Sequence, residues 1–131
     1  MRRALLVVAL VGLAAGGCGG PKLAKVKGRL VTNDQPMEFP PTAAAVVFTP
    51  LNDGGTPDPS KSFTAVVNED GSFEVLASGG QLPVGKYQIS IQAMGKLKEQ
   101  LKKFGEGVSP VRRDLQPGPN ELVIDFAKPE G

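Results

Sequence analysis

The chain of 131 residues has no histidine, no tryptophan, one cysteine, one tyrosine and six phenylalanines. The missing histidine removes the commonest general base and a usual ligand of transition metals. A single cysteine cannot form an intrachain disulfide, and the scarcity of tyrosine and tryptophan removes the aromatic platform expected for stacking on sugars. These absences favour a protein that is not an enzyme. We expect no catalytic residue, no metal and no cofactor.

Long apolar runs are also scarce. The longest is Ala4–Ala15, and a membrane span needs about 20 apolar residues. Arg2 and Arg3 precede the run, and small residues follow it up to Cys18. This order of positive, apolar and small residues is the layout of a secretory signal. Because Cys18 closes the small-residue box, the segment resembles a bacterial lipoprotein signal, although cleavage by the ordinary secretory peptidase remains an alternative.

The lipoprotein resemblance implies a signal peptide over residues 1–17, cleaved just before Cys18, and a diacylglycerol on the sulfur of Cys18. Each buried acyl CH₂ contributes about 0.8 kcal/mol, so several chains hold a protein firmly on a membrane. The remaining linker, residues 18–24, spans about 20 Å at most. We therefore expect an exported protein close to the bilayer, with the lipid in the outer membrane on its periplasmic face.

The chain shows no excess of one charge once the signal is removed. The 15 basic and 13 acidic residues give a formal charge of +2, and Arg2 and Arg3 leave with the signal. A neutral mature chain has no overall field that would attract DNA or RNA. We predict no nucleic-acid partner.

Alternation of polar and apolar residues dominates after residue 24, which is typical of half-buried strands. The clearest case is the segment 85–93, where Tyr87, Ile89 and Ile91 alternate with polar residues. The pattern predicts strands over 25–31, 43–49, 63–67, 72–75, 85–93 and 121–126. The segment 68–71, Asn-Glu-Asp-Gly, is a tight-turn sequence, so residues 62–77 are expected to form a hairpin.

Many glycines and prolines between these runs argue for short strands in two layers. The predicted fold is all-β: a single antiparallel β-sandwich of the seven-strand type over residues 25–127, followed by a tail, 128–131. Only one segment has helical spacing. Leu97, Leu101 and Phe104 recur at i, i+4 and i+7, which predicts a short amphipathic helix.

Five motifs together resemble the carboxypeptidase regulatory-like domain. In order they are VKGRLVTNDQPM, VVFTP, EDGSFEV, LPVGKYQISI and ELVIDF. The resemblance implies a transthyretin-like or immunoglobulin-like β-sandwich, of the kind found as a single module in small lipoproteins of Planctomycetes-type bacteria. It brings no catalytic residue, because the module is not catalytic. The matching residues are Gly28, Pro36, Asp70, Gly71, Phe73, Pro83, Gly85 and Tyr87.

The function expected from this sequence is structural or protein-interacting, with an envelope protein or polymer as partner. The alternative is a ligand-binding module for carbohydrate, peptide or anionic polymer, using the loops 51–60 and 95–119. The second loop has a local excess of cations that suits anionic headgroups or an acidic polymer, unless it is only a solvated surface. These cations are Lys96, Lys98, Lys102, Lys103, Arg112 and Arg113.

The sequence also allows a weak calcium-binding site near Asp70. Asn68 and Asp70 could offer oxygen ligands together with neighbouring carbonyls. The signature of a dedicated calcium loop is missing, and a charged turn is usually just solvated. A weak site near Asp70 is therefore an open alternative.

Overall fold

A computed structural model describes residues 22–75 and 77–129, so the predicted signal peptide and Cys18 lie outside the described residues. These residues form two facing β-sheets. One short helix, α1 (Lys96–Gln100), and three single 3-10 turns connect the strands. The strands are β1 (Leu23–Thr32), β2 (Gln35–Pro36), β3 (Ala44–Pro50), β4 (Phe63–Val66), β5 (Ser72–Glu74), β6 (Gln81–Pro83), β7 (Gly85–Ala93), β8 (Arg112–Leu115) and β9 (Gly118–Asp125).

The first sheet is organised around β1. Three short strands, β2, β5 and β6, pair antiparallel with it. The strand β9 pairs with it in parallel, from Ala24 opposite Gly118 to Val31 opposite Asp125. The predicted antiparallel sandwich is therefore wrong at this pair. The strand β8 ends opposite Gly85, at the start of β7, and after two connecting residues β9 begins opposite Ala24, at the start of β1, so β9 runs in the direction of β1.

The second sheet has the order β4-β3-β7-β8 and is antiparallel throughout. Its inner face meets the first sheet across a core of Phe, Leu, Ile, Val and Ala. The ring centroid of Phe48 on β3 lies 6.1 Å from that of Phe73 on β5 and 6.3 Å from that of Tyr87 on β7. Phe48 therefore connects both sheets. The all-β sandwich prediction is confirmed, with nine strands in the described residues rather than seven. The short β2, β6 and β8 lie outside the six segments that alternation predicted.

The predicted hairpin over residues 62–77 is wrong. Its turn forms, since Gly71 donates to the carbonyl of Asn68 at 3.0 Å and adopts a φ of 85°. However, β4 pairs with β3 and β5 pairs with β1, and only one bridge joins Val67 to Phe73. Both of these side chains are buried between the sheets, so the turn carries the chain from one sheet to the other.

The middle of β7, residues 87–91, is covered on both faces, contrary to the half-buried pattern predicted for it. Gln88 and Ser90, expected on the solvent side, are only 3% and 0% exposed. Gln88 donates to the carbonyl of Ser109 at 3.0 Å. Its neighbour in the sheet, Thr49, shares a hydrogen bond with Ser62 at 3.1 Å. Segments distant in the sequence therefore lie against this outer face.

The segment 95–119, predicted as a long basic loop, contains regular structure. The helix prediction is confirmed: α1 is followed by a 3-10 turn, with Leu97 half-buried and Leu101 and Phe104 buried. The ring centroids of Phe104 and Phe126 are 4.6 Å apart, and this contact fixes the turn against the end of the last strand. The strand β8 also lies inside this segment. Its last residue, Leu115, and the residue before it begins, Val111, are buried in the core.

The sandwich has two ends, which we name by what lies there. The N-terminal pole is where β1 begins: Val84 donates to the carbonyl of Lys22 at 3.1 Å, and Leu23 lies opposite Pro83. From there β7 runs about 26 Å, at a rise of about 3.3 Å per residue, to the helix pole formed by α1 and the 3-10 turn after it. Because Leu23 and Ala24 belong to β1, the predicted linker 18–24 ends in a strand rather than in free chain.

Candidate functional site

Four of the six predicted cationic contact residues lie together at the helix pole. Lys96, Lys98, Lys102 and Lys103 are exposed on α1 and the turn after it, because Leu97, Leu101 and Phe104 take the inward positions. Lys102 forms an ion pair with Glu99 at 3.9 Å. Exposed pairs of this kind contribute little to stability. The helix pole therefore presents solvated positive charge rather than a closed site.

The two arginines lie elsewhere, on β8. Arg112 faces Gln88 of β7 and donates to the carbonyl of Gly55 at 3.1 Å. Arg113 donates to the carbonyl of Pro129 at 3.4 Å. Both guanidinium groups thus contact backbone carbonyls of neighbouring segments. The structure divides the six cations between the helix pole and β8, an edge strand of the second sheet.

The loop 51–60, the other candidate binding segment, is held by its own side chains. Asn52 Oδ1 accepts the N–H of Gly54 at 2.9 Å and of Thr56 at 3.1 Å. Asp58 accepts the hydroxyl of Ser60 at 2.6 Å, and this hydrogen bond lowers the pKa of the Asp58 carboxyl below its usual value. These oxygens of Asn52 and Asp58 are therefore already used to shape the loop. Together with the contact from Arg112, they place the loop beside β8.

The turn around Asp70 uses its oxygens in the same way. Asp70 Oδ1 accepts the hydroxyl of Ser72 at 2.6 Å and its N–H at 3.0 Å, which lowers the pKa of Asp70. The amide of Asn68 donates to the same hydroxyl at 3.0 Å. In residues 22–75 and 77–129, no three or more acidic, Cys or His side chains gather as metal ligands would.

A groove that the sequence analysis did not identify opens at the N-terminal pole; we call it the pole groove. Its volume is about 590 Å³, within the range of small-molecule pockets. Three stretches of chain, 50–51, 61–63 and 83–87, supply its walls, so no local pattern could have revealed it. Its lining residues are Pro50, Leu51, Lys61, Ser62, Phe63, Pro83, Val84, Gly85, Lys86 and Tyr87.

Tyr87 forms the buried wall of the pole groove. The residue is 2% exposed, and its hydroxyl donates to the carbonyl of Pro83 at 2.7 Å. Burial raises the pKa of the Tyr87 hydroxyl above its usual value, so it stays a neutral donor near neutral pH. This hydrogen bond fixes the chain between β6 and β7 and shapes one side of the groove.

A second depression, of about 470 Å³, crosses the outer face of the first sheet over β5, β1 and β9. Charged side chains dominate it, including Lys27 and Glu121, whose ion pair spans 3.8 Å. Both side chains are well exposed. Its chemistry is that of a solvated sheet face.

No helix among the described residues is long and apolar enough to cross a membrane. No family model, curated protein or solved structure compared with this chain matches it.

Proposed function

We propose that the chain is an exported bacterial lipoprotein, held at the envelope membrane by lipid on Cys18, whose β-sandwich is a non-enzymatic structural or protein-interaction module. The order of charged, apolar and small residues ending at Cys18 carries this proposal. The structure supports it in one respect: the first strand starts at Leu23, so only residues 19–22 stand between it and the proposed anchor. The proposed location is the periplasmic face of the outer membrane.

We also propose that the sandwich is of the carboxypeptidase regulatory-like, transthyretin-like type. The support is that residues of the motifs contact one another, both between motifs and within one. Gly28 of the first motif lies directly opposite Phe73 of the third, and Tyr87 bonds to Pro83 within the fourth. A side chain at Gly28 would collide with the Phe73 ring. The shared residues therefore have structural roles, which fits a module without catalysis.

The position of the proposed anchor determines which end of the sandwich faces the membrane. Only residues 19–22 separate Cys18 from β1, so the N-terminal pole lies within about 16 Å of the bilayer. The helix pole lies at the other end of β7. Its four lysines then face away from the anchoring membrane, which favours an acidic envelope polymer or protein over headgroups of that membrane as their partner.

Cell fractionation tests the proposed anchor. The expected result is that the wild-type protein sediments with membranes and is released by detergent. A Cys18→Ser variant should be recovered in the soluble exported fraction. A variant that stays with the membranes as firmly as the wild type would contradict anchoring through Cys18.

The second candidate function is a ligand-binding module formed by the loops 51–60 and 95–119. One observation favours it: Arg112 reaches across to the carbonyl of Gly55, which brings the two segments together beside the second sheet. Recognition often uses loops held by a rigid scaffold. An Arg112→Ala variant that loses binding to an isolated envelope polymer would favour this function over the structural one.

A further inference from the structure

The pole groove has the chemistry of an amphiphile site. Its walls are largely apolar, formed by side chains of Leu51, Phe63 and Val84 with Tyr87 behind them. These three side chains are half-buried rather than fully buried, so the groove is open to solvent. An acyl chain entering it would remove apolar surface on both sides from water, which is favourable at about 25 cal/mol per Å².

Two charged residues line the groove, and both are cations. Lys61 and Lys86 line it, and no carboxylate does. Lys61 also stands 4.0 Å from Asp58 at the surface, but its side chain remains 74% exposed. An ammonium group beside an apolar wall is the arrangement that receives an anionic head joined to an apolar tail.

The place of the groove identifies the source of such a molecule. Val84, which lines the groove, donates its backbone N–H to the carbonyl of Lys22. The proposed anchor at Cys18 precedes Lys22 by four positions. Leu23, on the same pole, is 41% exposed although it is apolar. The groove therefore lies at the end of the sandwich nearest the proposed anchor.

We propose that the N-terminal pole lies on the membrane and that the pole groove takes an acyl chain of an anionic phospholipid from that membrane, with Lys61 and Lys86 at its headgroup. This inference rests on the anchor proposed above for its geometry. It gives the domain a fixed orientation, with the helix pole directed away from the bilayer.

The single tyrosine provides a direct test, because Tyr87 lines the groove and the chain has no tryptophan. The protein extracted from membranes is reconstituted in vesicles of phosphatidylglycerol and phosphatidylcholine whose tails carry bromine near the headgroup. We expect brominated tails to quench Tyr87 fluorescence, relative to unbrominated vesicles of the same composition. Purely phosphatidylcholine vesicles should quench less.

Two pairs of variants locate the contact. Val84→Glu places a charge in the groove and should abolish quenching, whereas Val123→Glu, on an exposed position of β9, should leave it unchanged. The double variant Lys61→Glu, Lys86→Glu should also lose quenching. The same charge change at the helix pole, Lys102→Glu with Lys103→Glu, should not. The lysine variants alter only exposed side chains, so they keep the test valid if Val84→Glu fails to fold.

Three results would overturn the inference. The first is absence of quenching in the wild type. The second is quenching by soluble brominated fatty acid but not by vesicles, which would make the groove a fatty-acid site. The third is equal quenching in the two double variants, Lys61→Glu with Lys86→Glu in the groove and Lys102→Glu with Lys103→Glu at the helix pole. The mass of the N-terminal peptide, measured on the same preparation, reports the lipid on Cys18 separately, so failure of the anchor and failure of the groove are distinguished.

Discussion

The backbone N–H of Val84 donates to the carbonyl of Lys22 at 3.1 Å, and this contact fixes which end of the sandwich stands next to the proposed anchor. The strand β7 starts beside it at Gly85 and carries the chain to α1 at the far end. The two poles therefore differ in chemistry. An apolar groove lies at one, and a cluster of lysines lies at the other.

The lysine cluster gives the first prediction. The double variant Lys102→Glu, Lys103→Glu should weaken binding of the purified protein to an acidic polymer, such as polyglutamate, because each exposed cation near an anionic surface contributes about 1 kcal/mol. A sedimentation assay at low salt measures the bound fraction. Raising the salt concentration should weaken wild-type binding as well, since exposed charges are screened.

The matched control for this prediction is Lys25→Glu with Lys27→Glu, which makes the same charge change on β1. If both double variants lose binding equally, the effect is general charge rather than the helix pole. Unchanged binding in the Lys102, Lys103 variant would make the cluster a solvated surface and remove it as a contact site.

Asp125 gives the second prediction, which concerns pH. The residue is 8% exposed, and its carboxylate accepts the N–H groups of Asn33 at 2.9 Å, Asp34 at 3.1 Å and Ala127 at 2.9 Å. Burial raises the pKa of Asp125, but the three donors and the positive charge of Lys128 together lower it by more, so the pKa lies below the usual 3.8. The native state therefore favours the ionised form.

A lowered pKa in the native state means that the stabilisation is complete above pH 3.8 and is lost as the pH falls through the lower native pKa. Asp125→Asn should unfold at a lower temperature at neutral pH and should lose part of the acid dependence. Thermal unfolding followed by circular dichroism from pH 7 to pH 2 measures both effects. The exposed Asp53→Asn serves as control. Parallel pH curves for the wild type and Asp125→Asn would contradict the assignment.

Gly28 gives the third prediction. A Cβ added there would stand 2.7 Å from Cζ of Phe73 and would also collide with the carbonyl oxygen of Leu122. Gly28→Ala should therefore lower the free energy of unfolding by roughly 1–3 kcal/mol, the usual cost of overpacking. Urea unfolding measures the loss. Gly54→Ala, where the nearest atom is 3.5 Å away, is the control and should change stability little.

The hydroxyl of Ser90 gives the fourth prediction. It is fully buried and has no hydrogen-bond partner among the described residues. Ser90→Ala should raise stability by about 1 kcal/mol, because removing an unpaired buried hydroxyl removes its desolvation cost. Ser62→Ala, which breaks the hydrogen bond to Thr49, should lower stability instead. A loss of stability in Ser90→Ala, measured by urea unfolding, would show that its hydroxyl is paired.

Alternation along the sequence correctly predicted the main strands, because one face of each strand meets the core. The core residues Val26, Phe73 and Ile124 could be chosen on that basis. The helix at Leu97 was predicted for the same reason, since its spacing is local information. These features depend only on residues a few positions apart.

The partners of the strands could not be predicted in this way. The turn at Asn68–Gly71 has hairpin chemistry, but its two flanking strands join different sheets because long-range contacts decide their neighbours. Likewise, nothing near Gln88 indicates that Ser109 will cover it. The pole groove was not predicted, since its walls converge from three separate stretches of chain.

The most direct test of the proposed anchor is the intact mass of the protein extracted from membranes, measured beside a Cys18→Ser variant. Lipidation at Cys18 predicts a chain that begins at Cys18 and carries the added mass of a diacylglyceryl group, with the addition absent from the variant. An unmodified chain that begins at another residue would contradict it and would make this a secreted β-sandwich without a lipid anchor.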